Sequence, residues 1–164
     1  MIFATLGTHE QGFDRLVKEL DRLKQSGAIG EELLIQGSVG KHEPRYCIHK
    51  NMLPYQELCD TISKSRIIIT HGGPGSILLC LQYGKIPVTV PRQRMFGEHV
   101  DDHQVRFVKL LERADKVIAV YDIGQLESAI LRYDEIAKTL KPSINDKCNR
   151  QALIDKLIDF CSRA

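Results

Sequence analysis

The sequence predicts a single α/β domain whose parallel sheet is covered by helices on both faces. Short β-branched runs alternate with segments of helical period along the chain, which implies parallel strands joined by right-handed crossovers. The run Ile67-Ile68-Ile69 is apolar at every position, as expected of a strand buried on both faces. That run leads straight into His71-Gly72-Gly73-Pro74-Gly75-Ser76, a glycine-rich turn at the start of a helix.

The elements follow in order. Ile2 to Leu6 reads as a strand ended by Gly7-Thr8. Phe13, Leu16, Val17, Leu20 and Leu23 recur at helical spacing, and Gly27 stops that helix. Glu32 to Gln36 reads as a strand closing at Gly37, and Tyr46 to His49 as another. Pro54 opens a helix carrying Leu58, Cys59 and Ile62. The Ile67 strand, the glycine-rich turn and its helix come next, then a strand from Pro87 to Val90 and a polar loop. Val100 to Leu111 has the spacing of an amphipathic helix, Lys116 to Val120 that of a strand, and Ile123 to Ile136 that of a helix. Leu153, Ile154, Leu157, Ile158 and Cys161 share one face of a final helix, expected to pack back on the domain. Lys141-Pro142-Ser143 is only a break before it, so residues 1–164 read as one domain without repeat or linker.

Composition removes several function classes. The length suits one domain with a real core. A net charge of +2, with basic residues scattered among acidic ones, argues against nucleic acid as a partner. No apolar run is long enough to span a bilayer, and Met1 opens no signal-peptide pattern. Cys47, Cys59, Cys80, Cys148 and Cys161 are odd in number and lack CxxC spacing. This argues against zinc and a disulfide framework, and for a reducing cytosol. Cys59, Cys80 and Cys161 lie in apolar helical patterns and read as buried small hydrophobes.

The chemistry concentrates between Ile67 and Gln104. Gly72, Gly73 and Gly75 let backbone N–H groups approach a ligand closely. The helix N-terminus that follows adds partial positive charge, so the turn suits a phosphate. Asp101-Asp102-His103-Gln104 ends the polar loop after the next strand, and open α/β sheets bind ligands at the carboxyl ends of their strands. The spacing is not GxGxxG and no Lys follows the last glycine, which argues against a dinucleotide fingerprint or an ATPase loop. A nucleotide-sugar epimerase fares no better, because Tyr83 precedes Gly84 and Lys85 rather than a Lys four residues on. A bare helix start with a Pro and Ser cap would explain Pro74 and Ser76. It explains His71 and the paired glycines poorly.

The runs HGGPGS, GKIPVTVPR and HVDDHQ together resemble the donor-binding half of family 28 glycosyltransferases of the GT-B fold. The opening ATLGTHEQGFDRL is similar to the start of the small subunits of bacterial capsule and exopolysaccharide glycosyltransferases. It also looks like the small subunit of the two-part eukaryotic enzyme that adds the second N-acetylglucosamine to a dolichol-linked precursor. The resemblance runs from Ile2 to about Val120, and its motifs are specific in combination. It implies a Rossmann-like domain, the C-terminal half of a GT-B fold, that binds a UDP-sugar. It further implies the catalytic subunit of an inverting enzyme acting on a polyprenyl-diphosphate-linked saccharide. The acceptor-binding domain and its membrane anchor would belong to a separate partner polypeptide. The chain is then expected in the cytoplasm, held at the inner membrane face by that partner, with self-association left open. No metal or other cofactor is expected, and the Asp101-Asp102 pair is not read as a metal site.

Carried over residue by residue, the resemblance places His71 against the donor phosphate and wraps the diphosphate with Gly72, Gly73, Gly75 and Ser76. Asp102 and Gln104 match the Asp-Gln pair that binds the donor sugar's hydroxyls. Their plainer reading is a helix start whose acidic residues favour the dipole. One position departs: where related enzymes carry a Glu for the ribose hydroxyls, three residues after the Ser-like position, this chain has Leu79. Ribose recognition must then shift or weaken, which leaves UDP less certain than the diphosphate.

A second cluster follows the first strand and should open on the same edge as His71. Gly7 and Thr8 could contact phosphate or acceptor, His9 has the intrinsic pKa (~6.5) of a general base, and Glu10 could orient or replace it. In the plainer reading Thr8 caps the next helix and His9 is solvated; in similar two-domain enzymes the base usually lies on the acceptor half. Arg92 and Arg94 could pair with the diphosphate or with a uronic-acid carboxylate, or simply be solvated. His42, His49 and His99 show no ligand spacing. The rival from another class is a non-catalytic nucleotide-sugar-binding or scaffolding subunit.

Overall fold

The computed structural model describes residues 1–8 and 11–140. Six strands, β1 (Ile2–Thr5), β2 (Leu33–Gln36), β3 (Ile48–Lys50), β4 (Ile67–His71), β5 (Val88–Val90) and β6 (Ile118–Ala119), pair in the order β3-β2-β1-β4-β5-β6. Every neighbouring pair is parallel, with Ile2 level with Leu33 on one side and Ile67 on the other. The chain therefore starts in the centre, walks out to β3, returns to lay β4 beside β1, and walks out the other way. Where that order reverses, between β1 and β4, the loops leave in opposite directions and open a crevice beyond the strand ends.

The helices are α1 (Asp14–Gln25), α2 (Tyr55–Lys64), α3 (Pro74–Gln82), α4 (His103–Arg113), α5 (Leu126–Leu131) and α6 (Tyr133–Ala137). On one face of the sheet Leu16, Val17, Leu20 and Leu23 of α1 and Phe107, Val108 and Leu111 of α4 pack on Ile2, Ala4, Ile67 and Ile69. On the other, Ile62 of α2 and Cys80 of α3 pack with Phe3, Leu34 and Ile68. Alternate residues of β1 and β4 thus enter different clusters, which is why neither strand can carry a polar residue on either side until its carboxyl end. Cys59 and Cys80 are buried thiols, as their apolar surroundings predicted.

Two helices begin or break elsewhere than their spacing predicts. The helix expected from Val100 starts only at His103, because the Asp101 carboxylate accepts the His103 N–H at 3.0 Å and turns the chain there. The helix expected from Ile123 to Ile136 splits into a 3-10 turn (Ile123–Gln125), α5 and α6, with Arg132 between the last two at φ −97°, ψ 11°. The break accompanies burial of Tyr133, whose hydroxyl donates to the Ile86 carbonyl at 2.8 Å. The expected tail helix (Leu153 to Cys161) lies outside the described residues, as do His9 and Glu10.

At the amino edge of the sheet Arg66, just before β4, donates from Nε to Glu31, just before β2, at 2.8 Å. Hydrogen bonds from Arg66 hold the Glu31 carboxyl at about 2, against an ordinary 4.5, despite partial burial. A carboxylate depressed in the folded state stabilises above its unfolded pKa, and that contribution disappears as pH falls from 4.5 towards about 2. Glu31→Gln is therefore expected to be less stable than the parent at neutral pH, with the two urea midpoints converging below pH 4.5. Parallel pH profiles for the two proteins would refute this.

Candidate active site

The crevice is built from the two central strand ends. β4 continues through His71, so the imidazole stands on the last residue of the strand rather than in the turn. It is enclosed by two glycines. A Cβ on Gly7 would fall 2.5 Å from ring atoms Cε1 and Nε2, and one on Gly73 would fall 2.2 Å from Nε2. Gly7 also has φ +77°, a backbone state that disfavours a side chain. The turn after β1 and the turn after β4 thus meet across one imidazole. Gly72 is pressed onto α4: a Cβ there would lie 2.8 Å from Gln104 Cβ and 3.1 Å from Val108 Cγ2.

Pro74 opens α3, where its missing N–H is no loss. Gly73 is the N-cap in extended conformation, and no side chain caps the helix. Ser76 therefore sits in the first turn without capping it. Nothing lies within 4 Å of the Cβ position of Gly75. An uncapped first turn with open space at Gly75 is what a phosphate-sized anion needs. The first helix does not use Thr8 either; its N-cap is Phe13, with no side-chain cap bond, and Thr8 is exposed.

Two residues expected at the donor turn out to hold the site together. Arg92 is fully buried. Its guanidinium donates to the carbonyls of Leu6 (2.9 Å), Gln11 (2.7 Å), Gly12 (3.2 Å) and Glu98 (3.3 Å), and stacks 4.7 Å from the centre of the Phe13 ring. Burial lowers its pKa, with the Glu98 charge opposing. It is neither a solvated loop residue nor placed to pair directly with a diphosphate, because the side chain is fully buried and Nη1 and Nη2 donate to backbone carbonyls. Gln104 is likewise buried, and its Oε1 accepts the N–H groups of Gly72 and Arg92, both at 3.1 Å. That oxygen ties the β4 turn to the β5 loop and is not displayed to a sugar.

The β5 loop is fixed further along. Buried Glu98 takes two bonds from Arg15, at 2.9 and 3.0 Å, and one from the Gln93 N–H at 3.0 Å. Asp102, exposed, accepts the Arg94 N–H at 2.9 Å. Asp101 receives the His103 N–H and ring, which hold its carboxyl at about 2. On the other side of the crevice, Gly7, Thr8, Gln36, Ser38, Asn51 and Met52 line an open cavity of about 290 Å³ at the ends of β1 and β2. Leu79 packs against the Phe3 cluster, away from any polar role. Gly7, Thr8, His71, Gly72, Gly73, Gly75 and Ser76 are thus gathered at one sheet edge. Glu98, Arg15 and Gln36 had no signal in the sequence, since their partners lie 83, 83 and 31 residues away.

Arg92→Met should lower stability by roughly 3–5 kcal/mol, as loss of a buried charged hub typically does, when read by urea unfolding. Arg92→Lys should recover little of it, since a single ammonium cannot reach carbonyls on both sides of the fork. Gly73→Ala should keep the parent's circular dichroism while moving the His71 ring resonances in nuclear magnetic resonance spectra. Unmoved resonances would mean that the ring is not held by the two glycines.

No curated protein sequence matches the chain. Among solved structures the fold is similar to the glycotransferase of kitacinnamycin, with TM-score 0.60 and 16% identity over 84% of this chain and 36% of that one. It is similar also to CalG4, the calicheamicin glycosyltransferase, with TM-score 0.59 and 12% identity over 99% of this chain and 43% of that one. The spinosyn forosaminyltransferase SpnP aligns with TM-score 0.52 and 16% identity over 96% of this chain and 43% of that one. At such identities the likeness speaks for the fold, and the chain spans less than half the length of these proteins. The sequence pattern of the glycosyltransferase family 28 C-terminal domain matches residues 1–158, so the crevice between β1 and β4 belongs to a member of that family.

Proposed function

We propose that this chain is the donor-binding, catalytic half of an inverting glycosyltransferase that moves a sugar from a UDP-sugar to a polyprenyl-diphosphate-linked saccharide in capsule or exopolysaccharide synthesis. The observation that carries the reading is the meeting of the Gly7-Thr8 turn and the His71–Ser76 turn at the switch point, with two glycines shaped around one imidazole. The diphosphate would lie over the uncapped start of α3, contacted by His71, the N–H groups of Gly75 and Ser76, and the Ser76 hydroxyl. Thr8 and Gly7 would close it from the other strand. The buried set of Arg92, Arg15 and Glu98 leaves one net positive charge behind these turns, which favours an anion without touching it.

In the reaction an acceptor hydroxyl attacks C1 of the donor sugar, the bond from C1 to the diphosphate oxygen breaks, and UDP departs with the electron pair. Donors fixed where that negative charge grows lower the barrier. The hydroxyl proton passes to a base, either His9 with Glu10 or a group on the partner. The reading needs no metal for the transfer step. Asp102, exposed beside the crevice, would hold a sugar hydroxyl, while Gln104 and Arg92 would act by holding the turns. With Leu79 unable to bind ribose, the cavity lined by Gln36, Ser38, Asn51 and Met52 would take the nucleoside.

The likeness of the opening ATLGTHEQGFDRL to the small subunits of two-component enzymes supports a separate, membrane-anchored acceptor-binding partner that holds this chain at the cytoplasmic face. Among the described residues no helix is long and apolar enough to cross a membrane. Leu79 favours the second reading, a nucleotide-sugar-binding subunit that does no chemistry. His71→Ala in the reconstituted pair separates the two. The catalytic reading expects UDP binding by calorimetry to weaken and turnover to fall by about a hundredfold or more, the usual loss on removing one transition-state donor. Unchanged turnover with altered assembly would favour the scaffold.

A further inference from the structure

The loop between β5 and α4 brings together three side chains that the proposed transfer does not use. His99, Asp101 and His103 each offer one ligand atom, and the three atoms lie within 4.8 Å of one another. Asp101 Oδ1 stands 3.3 Å from His99 Nδ1 and 2.5 Å from His103 Nδ1. The two imidazoles meet edge to face, with centroids 4.5 Å apart. The spacing His-x-Asp-x-His carries no sequence signal of its own, because it becomes a cluster only when the chain turns at Asp101 to start α4. From this geometry we infer that His99, Asp101 and His103 form a binding site for one divalent transition-metal ion of the zinc class.

Ligand chemistry selects that class. Two imidazoles and one carboxylate suit zinc, cobalt or nickel, whereas magnesium and calcium demand more oxygen. Metal–nitrogen and metal–oxygen bonds of about 2.0–2.1 Å in a tetrahedral site separate ligand atoms by about 3.3 Å. His99 and Asp101 already stand at that distance, and the ion would displace the His103–Asp101 hydrogen bond and widen it by under 1 Å. Both flanks of the loop are anchored. Glu98 is held by Arg15, Asp102 by the Arg94 N–H, and Gln104 by Gly72 and Arg92. The backbone that carries the ligands is therefore held on both sides, and only side-chain adjustment is needed to seat an ion. Side-chain exposures of 10% at His99, 31% at His103 and 50% at Asp101 put one wall against protein and leave the fourth position to solvent. The N-terminus of α4 disfavours a cation, and the carboxylates of Asp101 and Asp102 at that end offset it.

The ion would fix the approach to α4 one residue before Gln104, and so stiffen the wall of the phosphate turn. It is distinct from the transfer chemistry, and its test reads binding alone, so its outcome leaves the proposed reaction untouched. Zinc titrated calorimetrically into the reduced full chain should bind one to one. Cobalt should give visible d–d bands that zinc abolishes, without the near-ultraviolet charge transfer that thiolate ligands produce. His99→Ala and His103→Ala should each weaken zinc by more than roughly tenfold, the lower end of what even outer-shell substitutions cost. His42→Ala should change nothing. Asp101→Asn, whose amide oxygen can still take the His103 N–H, should keep the fold by circular dichroism and yet weaken zinc. No saturable zinc binding, an affinity in the His99 and His103 variants equal to the parent's, or thiolate charge transfer would each overturn the proposal.

Discussion

The burial of Arg92 is the constraint on which the rest of the site depends. A guanidinium cannot shed its charge, so burying it is tolerable only where carbonyl oxygens surround it. Here the carbonyls come from Leu6, Gln11 and Gly12 after β1 and from Glu98 in its own loop. Segments some 80 residues apart in sequence are thereby bound to one planar group. The loop and the cation each remove a cost the other would carry alone. Around this hub Arg15 and Glu98 add a bidentate pair, and the Arg92 backbone N–H is itself bonded to Gln104.

That hub fixes where the groups facing the crevice stand. Holding Leu6 in place sets Gly7, and Gly7 leaves the room that the His71 ring occupies. Gln104 joins Gly72 to Arg92, so the turn after β4 is referenced to the same guanidinium through two hydrogen bonds. The groups that face the crevice are consequently supported by groups that do not. This separation matters for an anion site. Backbone N–H groups aimed by a rigid frame need no reorganisation when charge arrives, whereas a solvated arginine would have to be ordered first.

The fold was open to sequence reading because its signals are local. Continuous apolar β4, alternating segments and a glycine-rich junction each follow from burial on two faces and from backbone geometry, and the sheet agrees with them. Element edges were less accessible. Val100 fits an amphipathic period, yet the Asp101 carboxylate competes for the His103 N–H and delays the helix. The site divides the same way. Glycines around His71 announce themselves, because close approach excludes a side chain whatever the partner. Arg92, Gln104 and Glu98 do not, because a polar residue in a loop looks the same in sequence whether it faces solvent or a distant carbonyl. Arg92 and Gln104 were expected to touch a donor, and the structure has them bonded to backbone groups of neighbouring segments, a distinction that rests on long-range packing.

Both outward-facing loops sit at the same sheet edge, and each is built from a different kind of rigidity. The β4 turn is rigid by close packing, with Gly7, Gly72 and Gly73 leaving no slack around His71 and α4. The β5 loop is rigid by charge, with Glu98, Asp102 and Asp101 each taking backbone or side-chain donors. Packing tolerates only small residues but is indifferent to pH and salt, while charge tolerates size and responds to both. The His71–Ser76 turn is held by the first kind, so its geometry does not depend on ionic strength. The loop from Glu98 to Asp102 is held by the second, so its geometry responds to ionic strength. The crevice therefore joins a wall held by packing to one held by charge, and the Gly72–Gln104–Arg92 hydrogen bonds are the seam between them.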